Sequence, residues 1–216
     1  MIRSLLLSLL LAAPSLALAK EPVVRLIADR APAGTGEIML AAGDKHSAAM
    51  ALPVNAPSEP LPAPARAFEV KAAEGGASLA KVVLPEAGDS FLVLLLSAEK
   101  TFQTVVLSAD AKTFKPGDVY FHNSSSKTVI GKVGTTEFTL EAGKGRVVTP
   151  AGATPEKLYE VSLKVRDEKK ERVLSETNWP VDTTLRTYVF FFNKPGTDRV
   201  DFRAVEEFVA EPAKGH

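Results

Sequence analysis

The chain has 216 residues, with 26 Lys and Arg against 26 Asp and Glu, three histidines and no cysteine. Balanced charge excludes the basic excess that draws nucleic acid or an anionic membrane surface. The absence of thiols excludes disulfide staples and any copper centre that needs a thiolate, so the fold rests on an apolar core, which a chain of this length can supply.

Arg3, the apolar run Leu5 to Leu11 and the small-residue pattern Ala17-Leu18-Ala19 have the layout of a signal peptide over residues 1–19. The run is shorter than the roughly 20 residues of a spanning helix, and Pro14 follows it. The expectation is cleavage after Ala19 and export to the periplasm or the extracellular space, with no membrane span. No cysteine follows that would anchor the product through lipid.

Short apolar pieces at Val23 to Ile27 and Ile38 to Ala41 come next, separated by Gly34-Thr35-Gly36. The stretch Leu52 to Pro64 carries five prolines, which lack the N–H that a central strand must donate. It reads as a surface loop, an extended connection lying on a sheet. Ala67 to Lys71 and Ala80 to Leu84 predict strands. Phe91 to Leu96 is apolar without a break, which suits a strand buried on both faces, and Phe102 to Leu107 returns after a turn at Glu99-Lys100.

Polar and turn residues gather from Asp110 to Asp118, with the strong turn signal Pro116-Gly117. This places a domain boundary between segments 20–109 and 110–216. Strands are predicted after it at Asp118 to Asn123, Thr128 to Val133, Thr135 to Leu140, Arg146 to Thr149, Lys157 to Arg166, Arg172 to Asn178, Leu185 to Phe192 and Arg199 to Ala204. In Lys157 to Arg166, Tyr159, Val161, Leu163 and Val165 face one way. The chain then passes a charged tip, Asp167 to Glu171, and returns through Val173, Ser175, Thr177 and Trp179. Leu185 to Phe192 is largely apolar on both sides, with Arg186, Tyr188, Phe190 and Phe192 on one and Thr187, Val189 and Phe191 on the other. Such a strand is covered on both faces or has one face waiting for a partner. The final Phe202, Val205, Phe208 and Val209 suit either a short helix or a continuing strand.

Closely spaced strands and frequent turns predict an all-β protein, with two immunoglobulin-like β-sandwiches in tandem and one larger sandwich as the alternative. At GDVYFHNSS (117–125), FTLEAG (138–143) and WPVDTTLRTYVFFF (179–192) the chain resembles an uncharacterised group of exported bacterial β-rich proteins. The resemblance spans residues 91–208. It implies export and a β-rich fold, and brings no catalytic residue, cofactor or ligand with it.

The search for chemistry finds structural explanations first. His46, His122 and His216 share no ligand spacing, and His122 reads as a surface or turn residue. Ser124-Ser125-Ser126 reads as a polar turn, since no nucleophile elbow surrounds it. Gly143-Lys144-Gly145 does not open a helix, as a phosphate loop must. Glu176, Asp182 and Asp201 are carboxylates of the kind a glycosidase pairs, yet the ordinary explanation is solvent exposure or pairing with Arg186, Arg199 or Arg203. Trp179, Tyr120, Tyr159 and Tyr188 have the polar edge that suits an interface. Trp179 is expected either in the core beside Arg186 or in a sugar-binding site. The resulting expectation is a non-catalytic cell-envelope protein without metal or cofactor, acting as a structural or protein-interaction module. Its candidate interaction surface is Trp179, Arg186, Tyr188, Phe190 and Phe192, facing an envelope protein partner. A carbohydrate-binding module with a glycan ligand is the alternative, and a glycoside hydrolase a more distant one.

Overall fold

The computed structural model describes residues 21–110, 112–168 and 170–209. The leader pattern, with its cleavage site, and His216 lie outside them. The first half contains β1 (Val23–Ala28), β2 (Ile38–Ala42), β3 (Lys45–His46), β4 (Leu61–Pro62), β5 (Ala67–Ala72), β6 (Ser78–Val83), β7 (Ser90–Ala98) and β8 (Thr101–Ser108). The second contains β9 (Val119–Asn123), β10 (Thr128–Val133), β11 (Thr136–Leu140), β12 (Gly145–Val148), β13 (Leu158–Asp167), β14 (Lys170–Pro180), β15 (Leu185–Asn193) and β16 (Val200–Phe208). No helix occurs among the described residues, so the terminal Phe202 to Phe208 stretch is strand.

The strands form four sheets in two pairs, β4-β1-β7-β8 with β3-β2-β5-β6 and β12-β9-β15-β16 with β11-β10-β13-β14. These are two β-sandwiches in tandem. The second half repeats the first strand for strand at an offset of eight, down to the parallel pairing of first with seventh strand, β1 with β7 and β9 with β15. Even a bulge is repeated. Register shifts after Val70 in the β5–β6 hairpin and after Leu163 in the β13–β14 hairpin, leaving Leu79 and Leu174 as the extra residues. Each extra leucine packs on its own sandwich core. The order differs from the ABED and CFG sheets of immunoglobulin constant domains, because the first strand of each half pairs with the fourth and the seventh.

The bulge corrects one expected face. Val173, Ser175, Thr177 and Trp179 do not form one continuous buried row: Leu174 turns inward and Val173 is 49% exposed. The proline-rich Leu52 to Pro64 stretch lies along the edge of β1 as an irregular strand, with Ala28 N donating to Pro53 O, Ser58 N to Leu26 O and Ala63 N to Pro22 O. Prolines are tolerated there because this is an edge, and they also blunt it.

Each sandwich encloses its own core, around Leu26, Val70, Phe91 and Val93 in the first and around Phe121, Leu163, Val189 and Phe191 in the second. A third apolar cluster joins the sandwiches. Ile27, Leu92, Leu94 and Leu96 of the first pack against Tyr120, Tyr188, Phe190 and Val205 of the second, with Phe114 of the connecting segment between them. This arrangement explains why β7 and β15 are apolar on both faces: each is inside its own sandwich on one side and inside the joint on the other. The four sheets therefore stack in layers, with equivalent sheets of the repeat innermost.

Charge is enclosed in the joint. Glu207 of β16, 5% exposed, accepts from Arg25 of β1 and from the Tyr188 hydroxyl. Burial, and then the Glu207 charge, push the Tyr188 hydroxyl well above the usual tyrosine range. Asp29 accepts from the Ser97 amide at 2.9 Å and its hydroxyl at 2.7 Å, and Arg203 of β16 donates to the Asp29 carbonyl at 3.1 Å. The joint is thus an apolar interface crossed by two arginines, Arg25 to Glu207 and Arg203 to the Asp29 carbonyl, while the Nε of the buried Arg186 has no hydrogen-bond partner among the described residues.

Candidate binding cleft

At one end of the second sandwich the space between its sheets opens into a cleft of about 200 Å³. Tyr159 and Trp179 are directly opposite each other in the β13–β14 hairpin and supply one wall. Phe202, Ala204 and Glu206, alternate residues of edge strand β16, supply the other. The crossing from β14 to β15, Pro180 to Thr183, lies over the end. Small residues keep the space open, Gly117 and Ala204 among its lining. Phe121 stacks on the indole of Trp179 with ring centroids 6.4 Å apart and planes 11° apart, so Trp179 is anchored in the core while also lining the cleft.

The repeat makes this end unusual. Counting along the two hairpins from their bulges, Trp179 occupies the position of Leu84 and Tyr159 that of Arg66. In the first sandwich Leu84 is buried in the core. Arg66 donates to the carbonyls of Pro85 and of Gly88, the latter at 3.0 Å, and so fastens the β6–β7 connection. The same structural end is tied by Arg66 over a buried leucine in one half and walled by aromatics in the other.

Two carboxylates, Asp182 and Glu206, are the charged residues of the cleft lining. Asp182 Oδ1 accepts from the Thr184 amide at 2.7 Å and the Thr184 hydroxyl at 2.6 Å. The hydroxyl bond, and then the amide bond, hold its carboxyl below the usual aspartate range, so it is ionised at neutral pH. Neither carboxylate forms an ion pair with a described residue.

The residues predicted as one surface separate. Trp179 lines the cleft, whereas Arg186, Tyr188 and Phe190 point to the other face of sheet β12-β9-β15-β16, where they are 6%, 1% and 0% exposed beneath the first sandwich. Trp179 is therefore not beside Arg186, because odd and even residues of β15 and its neighbours serve opposite faces. Arg186 instead lies over the Phe114 ring, 5.2 Å from its centroid. Phe192, half-buried, carries Arg30 at 5.4 Å. Tyr120 and Tyr188 likewise belong to the joint, and Tyr159 alone of the tyrosines lines the cleft with Trp179.

Of the three carboxylates, Asp182 is at the cleft. Asp201 is bound to Lys194 at 3.1 Å, and Glu176 is exposed on β14. His122 is corrected from a surface residue to one 3% exposed, because β9 is an inner strand and its even side faces the joint. Its Nδ1 lies 3.3 Å from the Tyr120 hydroxyl. Burial lowers its pKa, opposed by the charge of Asp29. Among the described residues no cluster of three or more His, Asp or Glu is arranged to hold a metal ion. The serine turn is organised by Asn123, whose Oδ1 accepts from the Ser125 amide at 3.0 Å and hydroxyl at 2.6 Å. Comparison with protein-family profiles and with curated proteins finds no match.

Sequence reasoning missed Phe202 and Glu206 as partners of Trp179. A usable signal existed: Tyr159 and Trp179 are the last aromatics at the open end of one hairpin, directly before the Pro180 that ends the strand.

Proposed function

We propose that this chain is a non-catalytic, exported cell-envelope protein that recognises a protein partner through the Trp179 cleft. The observation that carries the reading is the contrast between the two halves: the end that Arg66 ties in one sandwich is an aromatic-walled opening in the other. The cleft lies beside β14 and β16, both edge strands, and an edge beside an apolar hollow suits an extended polypeptide that adds main-chain hydrogen bonds while seating a side chain. The strand from Arg186 to Phe192 then serves as an internal joint that fixes the two sandwiches.

A photoreactive residue placed at the exposed cleft rim, Thr183, tests this in cells. A discrete protein adduct is expected, lost on Trp179→Ala and absent with the same probe at Lys100, on the β7–β8 turn of the other sandwich. Equal adducts from both positions, or none from Thr183, would overturn the reading. A glycan-array signal abolished by Trp179→Ala, in protein whose circular dichroism is unchanged, would replace it with carbohydrate binding.

A further inference from the structure

We propose that the occupant of the cleft is a lysine side chain presented by an extended segment of the partner, its ammonium held by the aromatic walls and by Asp182 and Glu206. The inference rests on the protein-recognition reading and specifies its chemistry.

Three observations converge on a cation. Trp179, Tyr159 and Phe202 gather three ring systems around one small space, and the negative faces of such rings attract ammonium groups, tryptophan most strongly. The charged groups of the lining are Asp182 and Glu206, both anionic and neither ion-paired to a described residue. The Thr184 hydrogen bonds keep Asp182 ionised and in place. Lastly, the first sandwich brings its own cation to this end. Arg66, at the position of Tyr159, turns its guanidinium onto the Pro85 and Gly88 carbonyls. The second sandwich has a tyrosine where the first has that internal cation, and two carboxylates in the lining, which leaves a place that a cation from outside completes.

Size and lining select lysine. A cleft of about 200 Å³ is smaller than the 300–1,000 Å³ usual for drug-sized ligands. Val181 and Leu185 line it as well, and a lysine pairs an apolar four-carbon stem with a charged tip, so stem and tip each find matching surroundings. A purely apolar side chain would leave the two carboxylates without a counter-charge.

Trp179 is the sole tryptophan, so its indole N–H resonance and its fluorescence report on this site directly. The full mature chain is titrated with an alanine heptapeptide carrying one central lysine, and with the same peptide carrying norleucine, which keeps the stem and removes the charge. The lysine peptide is expected to shift the indole resonance saturably, and norleucine to bind about tenfold more weakly. Asp182→Asn and Glu206→Gln are each expected to weaken the lysine peptide about threefold and to leave norleucine unchanged. Equal binding of the two peptides overturns the lysine inference, as does an indole unmoved by the lysine peptide. Either result leaves the partner reading to the crosslinking experiment, whose adduct does not depend on which side chain fills the cleft.

Discussion

Replacing Phe190 by alanine tests whether the two sandwiches unfold together. The ring is fully buried, and it is buried in the joint, not in either sandwich core. Truncating such a phenylalanine removes its transfer energy and leaves a cavity, together about 3–5 kcal/mol. For a protein of this size that is a fall of roughly 10 °C in melting temperature. Location adds a second consequence. Trp179 reports on the second sandwich alone, whereas far-ultraviolet circular dichroism reports on both. In the wild type the two signals should change at one urea concentration, because the shared cluster couples the halves. In Phe190→Ala the coupling is weakened and the two transitions should separate. Phe191→Ala is the control: equally buried on the same strand but facing the second core, it should shift the tryptophan signal first. A cost below about 1 kcal/mol for Phe190→Ala would refute the joint as a packed core. So would wild-type transitions that are already well separated.

Glu207→Ala removes the shared acceptor of Arg25 and Tyr188 and should cost about 1–3 kcal/mol in urea unfolding, because the buried Tyr188 hydroxyl loses its acceptor while the half-buried Arg25 keeps the Ser58 carbonyl. His122 has a pKa lowered from 6.5 in the folded state, mainly by burial. The stability it contributes is present above 6.5 and is lost as pH falls through the folded value, so melting temperature should drop from pH 7 to pH 5, with a smaller drop in His122→Gln. Gly134 has φ +59°, and an added Cβ would come within 1.8 Å of the Ala151 carbonyl oxygen. Gly134→Ala should therefore destabilise by about 2 kcal/mol or more, measured by thermal melting, through backbone strain and the lost β10–Ala151 approach.

Much of the fold was legible. Thr128 to Val133 coincides with β10, and the other strands of the second half begin or end within a few residues of their predicted limits, because each alternates or is bounded by turn residues. The two-sided apolar character of Phe91 to Leu96 and of Leu185 to Phe192 was also visible. That each covers the other was not, since packing between sheets far apart in sequence leaves no period. The bulge at Leu174 escaped for a related reason: Val173, Ser175, Thr177 and Trp179 alternate in sequence, and an inserted residue changes the side without changing the pattern. The repeat is hidden because corresponding positions hold different residues, Arg66 for Tyr159 and Leu84 for Trp179. The cleft is mostly unoccupied space, set by small residues such as Gly117 and Ala204, and space has no letter in a sequence.

The layering narrows where a partner can act. Packing the two equivalent sheets together removes the most apolar outer faces of both halves from solvent. What remains outside is polar at both ends of the stack: Glu69, Lys71 and Lys81 on the first sandwich, Lys132, Glu137 and Lys164 on the second. Exposed large apolar side chains among the described residues are Val83, Val173 and Phe208, scattered on different strands, and single exposed hydrophobics carry no recognition signal by themselves. The Trp179 cleft differs because several apolar walls and two carboxylates meet at one opening, and convergence of that kind gives a contact its specificity. A duplicated fold offers two such ends. In the first, Arg66 is tied to the Pro85 and Gly88 carbonyls, whereas the second is aromatic and acidic, and this asymmetry is what the proposed docking of an extended, basic segment rests on.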